Sequence, residues 1–370
     1  MTRQLSDIPA APRVYDHPGI SRKDIDPDAL ATIQRIAETG AQALFVGGCV
    51  RDLLLGRRPK DFDVVTPISL RRVRRIFRNN SRVIGRRHRL VHVFFPDGKV
   101  IEISTYPRPD EDSDELLEDA EILDAVRRDF TINALYYDPL EDTLVDYVDG
   151  FEDIRRRVLR SIGPPRENFH EDPVRIVRGV RYASLLDFEI EDDTFRAMQE
   201  MAWSVSLANK RRMQEELWKF LLAPRTDVSF RLFAELGIFS ILFPELRDFL
   251  DPEGPSRFWE YLKIKDEIPT SELNHTLATT ILFLPLLDEI RELGEGDMAT
   301  EERHLEARSR DLAESIGRTY SLARKIRYGI VALVTAQLRL LRSPGPRRRR
   351  LLQSFYFDQA LRLARIYCQV

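Results

Sequence analysis

The chain has 370 residues, of which 43% are hydrophobic and 32% charged, so it is long enough to form two or three packed units. Its apolar runs, such as residues 281–287, are far shorter than the roughly 20 residues of a membrane-spanning helix, which argues against a membrane protein. The net charge of −3 excludes a strongly basic protein overall, and the two cysteines lack the spacing of a metal site or a disulfide framework. Because the N-terminal residues also lack the apolar core of a signal peptide, we expect a cytoplasmic protein.

Up to about residue 160 the pattern alternates short strands and short helices. The predicted elements are, in chain order, a poorly ordered lead-in over 1–28, a helix over 25–39, a strand over 43–46, a helix over 50–55, a strand over 60–65, an arginine-rich helix over 70–77, a hairpin with strands 90–95 and 100–105, a mobile acidic loop over 110–124, and helix and strand pieces at 131–137 and 144–146. Such an alternation predicts an α+β head with a small mixed sheet.

After residue 168 apolar residues recur at helical spacing almost to the end of the chain. Helices are predicted over 171–186, 192–201, 209–222, 227–236, 281–293, 301–316, 321–342 and 348–368. The fold class is therefore α+β, with an all-helical neck, body and tail after the head. The predicted boundaries are a flexible segment at 1–28, a head at 29–160, a neck at 161–245 and a C-terminal region at 246–370.

A glycine pair joins the strand over 43–46 to the following helix. Gly47 and Gly48 let backbone N–H groups approach a phosphate closely, and the start of the helix adds partial positive charge. Arg51 can supply a full positive charge at the same place. Such a turn on its own is more often a plain connection, so its interpretation depends on the residues that follow.

Three carboxylates follow this turn. Asp61 and Asp63 are two residues apart in the predicted strand, so both side chains point to one face. Two close carboxylates repel each other unless a cation lies between them, and Mg²⁺ is a cation that prefers such oxygen ligands. Glu102, an isolated charge on the second hairpin strand, is the candidate third ligand that a second ion would need. The alternative for each is an ordinary solvent-facing acid.

Together these motifs resemble the polymerase-β-like nucleotidyltransferases, and among them the class II branch of bacterial poly(A) polymerases and tRNA CCA-adding enzymes. The similarity covers roughly residues 40–245. The matching segments are 47–56 (GGCVRDLLLG) with 60–63 (KDFD) for the first motif, 127–134 (RRDFTINA) for the second, 149–160 for the hinge, 171–175 (EDPVR) with Arg178 and Arg181 for base recognition, and 212–217 for the later neck signature.

The resemblance implies chemistry on two Mg²⁺ ions held by Asp61, Asp63 and Glu102, with Asp129 also in the catalytic set. It implies that ATP is a substrate and that nucleotide binding involves Gly47, Gly48, Arg51, Arg128, Asn133, Asp172, Arg175, Arg178 and Arg181. Arg128 is expected to grip triphosphate oxygens.

By the same resemblance, Asn133 would reach the ribose, and Asp172 and Arg175 would offer an acceptor and a donor fork to a base edge. The spacing of three from Asp172 to Arg181 predicts one broad helix face. Spacing alone would also permit a structural ladder of ion pairs.

Charged residues are unevenly distributed along the chain. Nine arginines fall between Arg71 and Arg89, and a second cluster is Arg347–Arg350. Basic patches of this kind favour phosphate contact, since arginine binds phosphate in bidentate geometry, although solvated helix faces are the alternative. Given the resemblance, we expect contacts with RNA from Arg86, Arg87, Arg347 and Arg348.

Residues 83–93 resemble a stretch typical of poly(A) polymerases, with His88 where that stretch usually has Phe. The helical end from Ile316 onward is also similar to the end of bacterial poly(A) polymerases. We therefore expect a monomeric enzyme that adds AMP to the 3′ ends of RNA, whether mRNA, small RNA or tRNA. A tRNA CCA- or A-adding enzyme is the alternative within the family.

Two other classes of protein stay open. One is an RNA-binding protein that has lost catalysis, and the intact carboxylates disfavour it. The other is a transferase acting on a protein or an antibiotic, and the basic helical region disfavours that. The six histidines show no metal spacing, so we interpret them as structural or surface residues. The aromatic cluster Phe355–Phe357 could stack on bases, but such clusters are more often helix core.

Overall fold

A computed structural model describes residues 11–85, 90–109, 115–249, 257–292, 298–342 and 351–369. The chain forms two compact units, the first ending at Asn168 and also including Phe188–Phe195, and the second comprising Phe169–Asp187 and everything from Arg196 onward. The first holds a mixed sheet and the second is helical, so the predicted α+β class is confirmed. The finer division into head, neck and C-terminal region stays a prediction.

An eight-stranded sheet forms the centre of the first unit. Its strands lie in the order β1 (Arg13–Asp16), β8 (Thr143–Asp146), β7 (Leu135–Asp138), β2 (Leu44–Val46), β3 (Asp63–Thr66), β6 (Val100–Thr105), β5 (Leu90–Phe94) and β4 (Ser81–Ile84). The pairing of β3 with β6 is parallel, and the other pairings are antiparallel. Fully buried residues such as Phe45, Val64 and Ile103 place the core along the central strands.

Short helices connect and cover these strands. They are α1 (Pro27–Ala37), α2 (Gly48–Leu54), α3 (Leu70–Ile76), α4 (Ala120–Val126), α5 (Gly150–Arg156) and the start of α6 (Pro165–Glu171). Helix α1 begins at Pro27, two residues after the predicted start, because the Asp26 side chain accepts hydrogen bonds from the N–H groups of Asp28 and Ala29 and Pro27 takes the first position. A separate two-stranded parallel pair, β9 (Val158–Leu159) with β10 (Glu189–Ile190), completes the unit.

Three predictions for this unit were wrong. Residues 11–28 do not form a poorly ordered lead-in, because β1 pairs along its whole length with β8. The predicted acidic loop over 110–124, of which 110–114 lie outside the described residues, ends in helix α4 at 120–126, since Ala120, Ala125 and Val126 pack into a hydrophobic core cluster. The second strand begins at Asp63 rather than at residue 60, so Asp61 precedes it in a bend.

The second unit is built from helices. After α7 (Val174–Leu186) and the end of α8 (Asp192–Glu200) they are α9 (Lys210–Leu222), α10 (Thr226–Glu235), α11 (Phe239–Leu242), α12 (Arg257–Glu267), α13 (His275–Leu282), α14 (Leu284–Glu292), α15 (Met298–Thr319), α16 (Arg324–Arg342) and α17 (Phe357–Gln369). Part of its core is an aromatic cluster in which the Phe230 ring lies 5.2 Å from that of Phe243 and 5.6 Å from that of Phe239. In the ranges given above, no helix carries an apolar stretch long enough to cross a bilayer.

Prolines explain two differences from the predicted helices. The helix predicted over 281–293 is interrupted at Phe283, because Pro285 lacks an N–H and its ring would clash with the carbonyl four residues earlier. Helix α7 begins at Val174 rather than at residue 171, since Pro173 occupies the capping position. Helix α12 was not predicted. The helix predicted over 348–368 is interrupted at 353–356 and continues as α17 from Phe357, and its first three residues lie outside the described residues.

Candidate active site

Two of the three predicted carboxylates, those of Asp63 and Glu102, meet where β3 pairs with β6. These strands are parallel, and Asp63 lies directly opposite Glu102. Residues opposite each other in paired strands point to the same face of the sheet, so both carboxylates project together. Asp61, in the bend before β3, is exposed and its charge still reaches Asp63. The predicted i, i+2 spacing was expected to place two carboxylates on one face of a strand. The register between β3 and β6 places two carboxylates on one face of the sheet instead, with Glu102 in the role expected of Asp61.

The surroundings of Asp63 disfavour the charged form of its carboxyl group. Burial raises the pKa of Asp63 to about 6, helped by the charges of Glu102 and Asp61 and opposed by that of Arg128. A divalent cation with oxygen ligands would relieve this repulsion, and substrate phosphates commonly complete such a shell. Across the parts of the chain given above, no three His, Cys, Asp or Glu side chains converge tightly enough to coordinate an ion by themselves. Carboxylate oxygens are the ligands that Mg²⁺ prefers, and Asp61, Asp63 and Glu102 are the residues that would supply them.

The glycine turn lies beside a cationic side chain. Gly47 has a φ of +79°, a conformation that favours glycine, and α2 begins directly after it at Gly48. A Cβ atom at Gly47 would lie 3.3 Å from Nη1 of Arg128 and 3.7 Å from the carbonyl oxygen of Asn133. A side chain at Gly47 would therefore be both strained and crowded, and the backbone of the turn lies close to the Arg128 guanidinium.

Three predicted residues form a buried hydrogen-bonded chain behind this turn. Arg51 donates from Nη1 to Oδ1 of Asn133 at 2.7 Å, and its guanidinium also binds Asp52 at 2.7 and 2.9 Å. Asn133 in turn donates from Nδ2 to Oδ1 of Asp129 at 3.0 Å. Asp129 also accepts from the N–H of Phe130 at 2.9 Å. These contacts hold the turn and the segment around Asn133 in fixed positions.

Arg128 is anchored by a residue that the sequence did not single out. Asp124, fully buried on α4, accepts from Nη2 of Arg128 at 2.8 Å and from the Tyr136 hydroxyl at 2.7 Å, and it also pairs with Arg127. Burial alone would raise the pKa of Asp124, but Arg128 and Arg127 hold it below its ordinary value. The sequence did contain a signal for this contact: an acid three and four residues before a pair of arginines, a spacing at which helical side chains meet.

His92 is a second residue that the sequence analysis left as structural. It lies opposite Glu102 across the β5–β6 pairing, and its Nε2 is 3.0 Å from Oε1 of Glu102. The predicted hairpin already implied that His92 lies opposite Glu102, because a turn centred on residues 96–99 sets the register of its strands. His92 therefore orients the third carboxylate from the side away from Asp63.

The predicted base-recognition residues belong to the second unit. Asp172 is not on α7 as predicted but precedes it, and Arg212 donates from Nη2 to its Oδ2 at 2.7 Å. Arg178 and Arg181 both reach the buried Glu216 on α9, at 3.4 and 3.0 Å.

Burial opposes ionisation of Glu216, yet Arg181, Lys219 and Arg178 hold the pKa of Glu216 below its ordinary value. Nη1 of Arg175 lies 3.6 Å from Oε2 of Glu171. The structure thus brings Arg178 and Arg181 together in an ion-paired cluster around Glu216, and it pairs Asp172 with Arg212.

The predicted RNA-contacting residues Arg86, Arg87, Arg347 and Arg348 lie outside the described residues. Within the described part of the first arginine cluster, five arginines are exposed: Arg71, Arg72, Arg75, Arg78 and Arg82. A basic surface on α3 and β4 is therefore present in the first unit.

Comparisons with known proteins decide the family. Residues 43–160 match a family described as "Poly A polymerase head domain", and residues 187–250 match one described as "Probable RNA and SrmB- binding site of polymerase A". Poly(A) polymerase I of Salmonella typhi is 32% identical over 95% of this chain and 80% of its own length. The chain belongs to the class II nucleotidyltransferase family. It is therefore a nucleotidyltransferase.

Both branches of the class II family are similar to this chain. Poly(A) polymerase I of Haemophilus influenzae is 38% identical over 61% of this chain and 53% of its own length. The CCA-adding enzyme of Lactobacillus johnsonii is 31% identical over 67% of this chain and 65% of its own. The structure of the Bacillus stearothermophilus CCA-adding enzyme in complex with CTP aligns with a TM-score of 0.64 at 27% identity, covering 93% of this chain and 78% of that one.

Replacing Asp63 is expected to stabilise the metal-free protein. A carboxyl whose pKa is raised to about 6 on folding stabilises the fold below its ordinary pKa near 4, and that contribution is lost as pH rises through 6. Asp63→Asn should therefore raise the free energy of unfolding by about 2 kcal/mol at pH 8 in EDTA, with the gain shrinking toward pH 4. Urea unfolding measures this, with the exposed acid variant Glu141→Gln as control. A destabilised Asp63→Asn protein at pH 8 would contradict the electrostatic account.

Removing the buried anchor of Arg128 is expected to have the opposite effect. Asp124→Ala leaves two arginines and the Tyr136 hydroxyl without their shared acceptor, which should cost about 3–5 kcal/mol of unfolding free energy. Glu118→Ala, an exposed acid just before the same helix, should change it by less than about 0.5 kcal/mol. Equal effects of the two substitutions in urea unfolding would show that Asp124 anchors nothing.

Proposed function

We propose that the enzyme is a poly(A) polymerase that adds AMP from ATP to RNA 3′ ends, with Asp61, Asp63 and Glu102 as ligands of two Mg²⁺ ions. The observation that carries the proposal is the register that sets Asp63 opposite Glu102 beside the glycine turn. The choice of poly(A) addition is supported by relatives named poly(A) polymerase I that align over 95% of this chain. CCA-adding enzymes of three Lactobacillus species align over 66–72% of it, and poly(A) polymerase I of Haemophilus influenzae aligns over 61% at a higher identity of 38%.

In the proposed reaction, the terminal 3′-oxygen of the RNA forms a bond to the α-phosphorus of ATP while the bond to pyrophosphate breaks. When bound, the two ions would make the 3′-hydroxyl more acidic and stabilise the charge of the leaving pyrophosphate. The chain's own part is to hold the triphosphate in line. The backbone at Gly47 and Gly48 would receive phosphate oxygens, and Arg128 would neutralise their charge from the position in which Asp124 holds it.

Arg51, Asp129 and Asn133 are assigned to positioning within this site. Their hydrogen bonds to one another fix the backbone behind the turn. The Asn133 amide carries two N–H donors, of which one binds Asp129, so the second suits the ribose hydroxyl that the family resemblance implies. These three side chains would thereby set where the sugar and triphosphate lie.

Base selection is assigned to Asp172 and Arg175. Asp172 is a hydrogen-bond acceptor and Arg175 a donor fork, which together match the edge of a base without any nucleic-acid template. Arg178 and Arg181, through their shared partner Glu216, would keep α7 rigid against α9 rather than contact the nucleotide. RNA phosphates would lie along the exposed arginines of α3 and β4. A monomeric state and a cytoplasmic location stay predictions.

The alternative function is CCA or single-A addition to tRNA, which the alignment with CCA-adding structures supports. One experiment separates the two. Purified protein is given a generic RNA, or a tRNA lacking its terminal CCA, with ATP alone or with ATP and CTP. A poly(A) polymerase produces long homopolymer tails on both RNAs with ATP alone, whereas a halt after CCA on the tRNA would replace the proposal by the alternative.

Matched variants connect this assay to the carboxylates. Asp63→Asn should abolish incorporation on every RNA. Asp97→Asn removes an exposed acid in the turn between β5 and β6 and should leave the rate unchanged. Continued tail synthesis by the Asp63→Asn protein would contradict the assigned site, whichever RNA is preferred.

A further inference from the structure

Residues 315–357 form a segment with no acidic residue. Its 43 positions contain no Asp or Glu, although the chain has 60 acids among 370 residues and composition alone would place about seven there. The same positions contain ten basic residues: Arg318, Arg324, Lys325, Arg327, Arg339, Arg342, Arg347, Arg348, Arg349 and Arg350. Two of them are paired with acids of α15, Arg327 with Glu314 and Arg339 with Glu302, and the positive charge of the remaining eight favours a polyanionic ligand.

Large exposed side chains lie within the described part of this segment. Phe355 is 87% exposed and Tyr328 69% exposed. Phe355 therefore does not belong to the helix core that its aromatic cluster was predicted to form. Single exposed apolar side chains are common on folded proteins, so the significance of Phe355 depends on the groups beside its ring.

A lysine joins these two aromatics into one surface. Nζ of Lys325 lies 5.7 Å from the centre of the Phe355 ring, a cation–π distance. Tyr328 follows Lys325 by three residues on α16, so the two side chains are neighbours on the helix surface. Lys325, Tyr328 and Phe355 are called the aromatic platform below. One face of the Phe355 ring meets the lysine, and its high exposure leaves the opposite face open.

We propose that the aromatic platform binds unpaired bases of the RNA upstream of its 3′ end. Stacking on exposed aromatics beside cations is how proteins hold single-stranded nucleic acid with little sequence preference, because every base has a π face. The lack of acids throughout the segment favours RNA over a protein partner. This inference rests on the proposed function in taking RNA as the substrate, and it adds where and by which chemistry that substrate is held.

Two consequences distinguish the aromatic platform from a merely basic surface. Stacking requires unpaired bases, so the platform should distinguish single strands from duplexes, which phosphate contacts alone do not. Loss of the platform should also weaken RNA binding while the KM for ATP stays unchanged, because none of its residues belongs to the carboxylate site in the first unit.

The test compares variants at Phe355 by fluorescence anisotropy with labelled 20-nucleotide oligo(A), oligo(U) and an RNA duplex. Phe355→Ala should raise the Kd for both single strands about 5- to 100-fold, as expected for the loss of one or two stacked bases, and change the Kd for the duplex less than twofold. Phe355→Trp should keep the affinity. Phe355→Leu should behave like Phe355→Ala, because it retains an apolar side chain without a ring.

The control variant is Leu140→Ala, an exposed apolar residue in the turn between β7 and β8 of the first unit, which should bind all three RNAs as the unchanged protein does. Because Phe355 is exposed, its replacement should leave the urea unfolding midpoint unchanged. Equal single-strand affinity in Phe355→Ala, or equal losses for single strand and duplex, would overturn the proposal and leave a protein partner as the occupant of this surface.

The outcome is separable from that of the proposed function. Failure of the unaltered protein to extend any RNA with ATP would refute poly(A) synthesis, while Phe355-dependent binding of single strands would still support the aromatic platform. Conversely, normal tail synthesis by Phe355→Ala, with an unchanged KM for oligo(A) primers of every length, would refute the platform alone.

Discussion

The parallel pairing of β3 with β6 is the constraint on which the site depends. It brings Asp63 and Glu102, which are far apart in sequence, to one face of a single sheet. The two strands tolerate the repulsion between these carboxylates because their other residues, among them Val64, Val65 and Ile103, are fully buried. Each such side chain contributes on the order of 1.5–3 kcal/mol, which offsets the repulsion between the carboxylates. A site that costs stability is thus held by the most hydrophobic part of the sheet.

Around the carboxylates, buried polar groups hold one another in pairs. Arg51 with Asn133, and Arg128 with Asp124, give each charged or amide group a partner away from water. Buried charges without partners are costly, so these pairs fix one arrangement of the backbone around Gly47. The second unit follows the same rule, with Glu216 as the shared acceptor for arginines of α7. In both units arginine orientation comes from a buried acid.

Local patterns in the sequence predicted much of this arrangement. The glycine turn, the hairpin around residues 96–99 and the carboxylates were visible because each depends on a few neighbouring residues. The position of Asp172 before α7 was also predictable, since Pro173 favours a helix start after it. Resemblance to a family, whose membership was later confirmed, supplied the expectation that these motifs act together, which spacing alone could not supply.

What escaped prediction depends on contacts between distant residues. Strand β1 has an exposed pattern, and only its pairing with β8 makes it a strand. Helix α4 carries several acids, and its buried face against the core outweighs that polarity. The anchor Asp124 was hidden for the same reason, because a residue assigned to a solvated loop is not expected to be fully buried. In each case tertiary packing overrides a local signal.

The central claim is that Asp61, Asp63 and Glu102 jointly hold divalent cations beside the glycine turn. Anomalous diffraction from crystals grown with Mn²⁺ and a non-hydrolysable ATP analogue tests it most directly. The account predicts manganese peaks about 2.2 Å from oxygens of Asp61 and Asp63, with Glu102 bound to one ion and the triphosphate beside Gly47 and Arg128. Manganese bound elsewhere, or a triphosphate bound away from this turn, would contradict it.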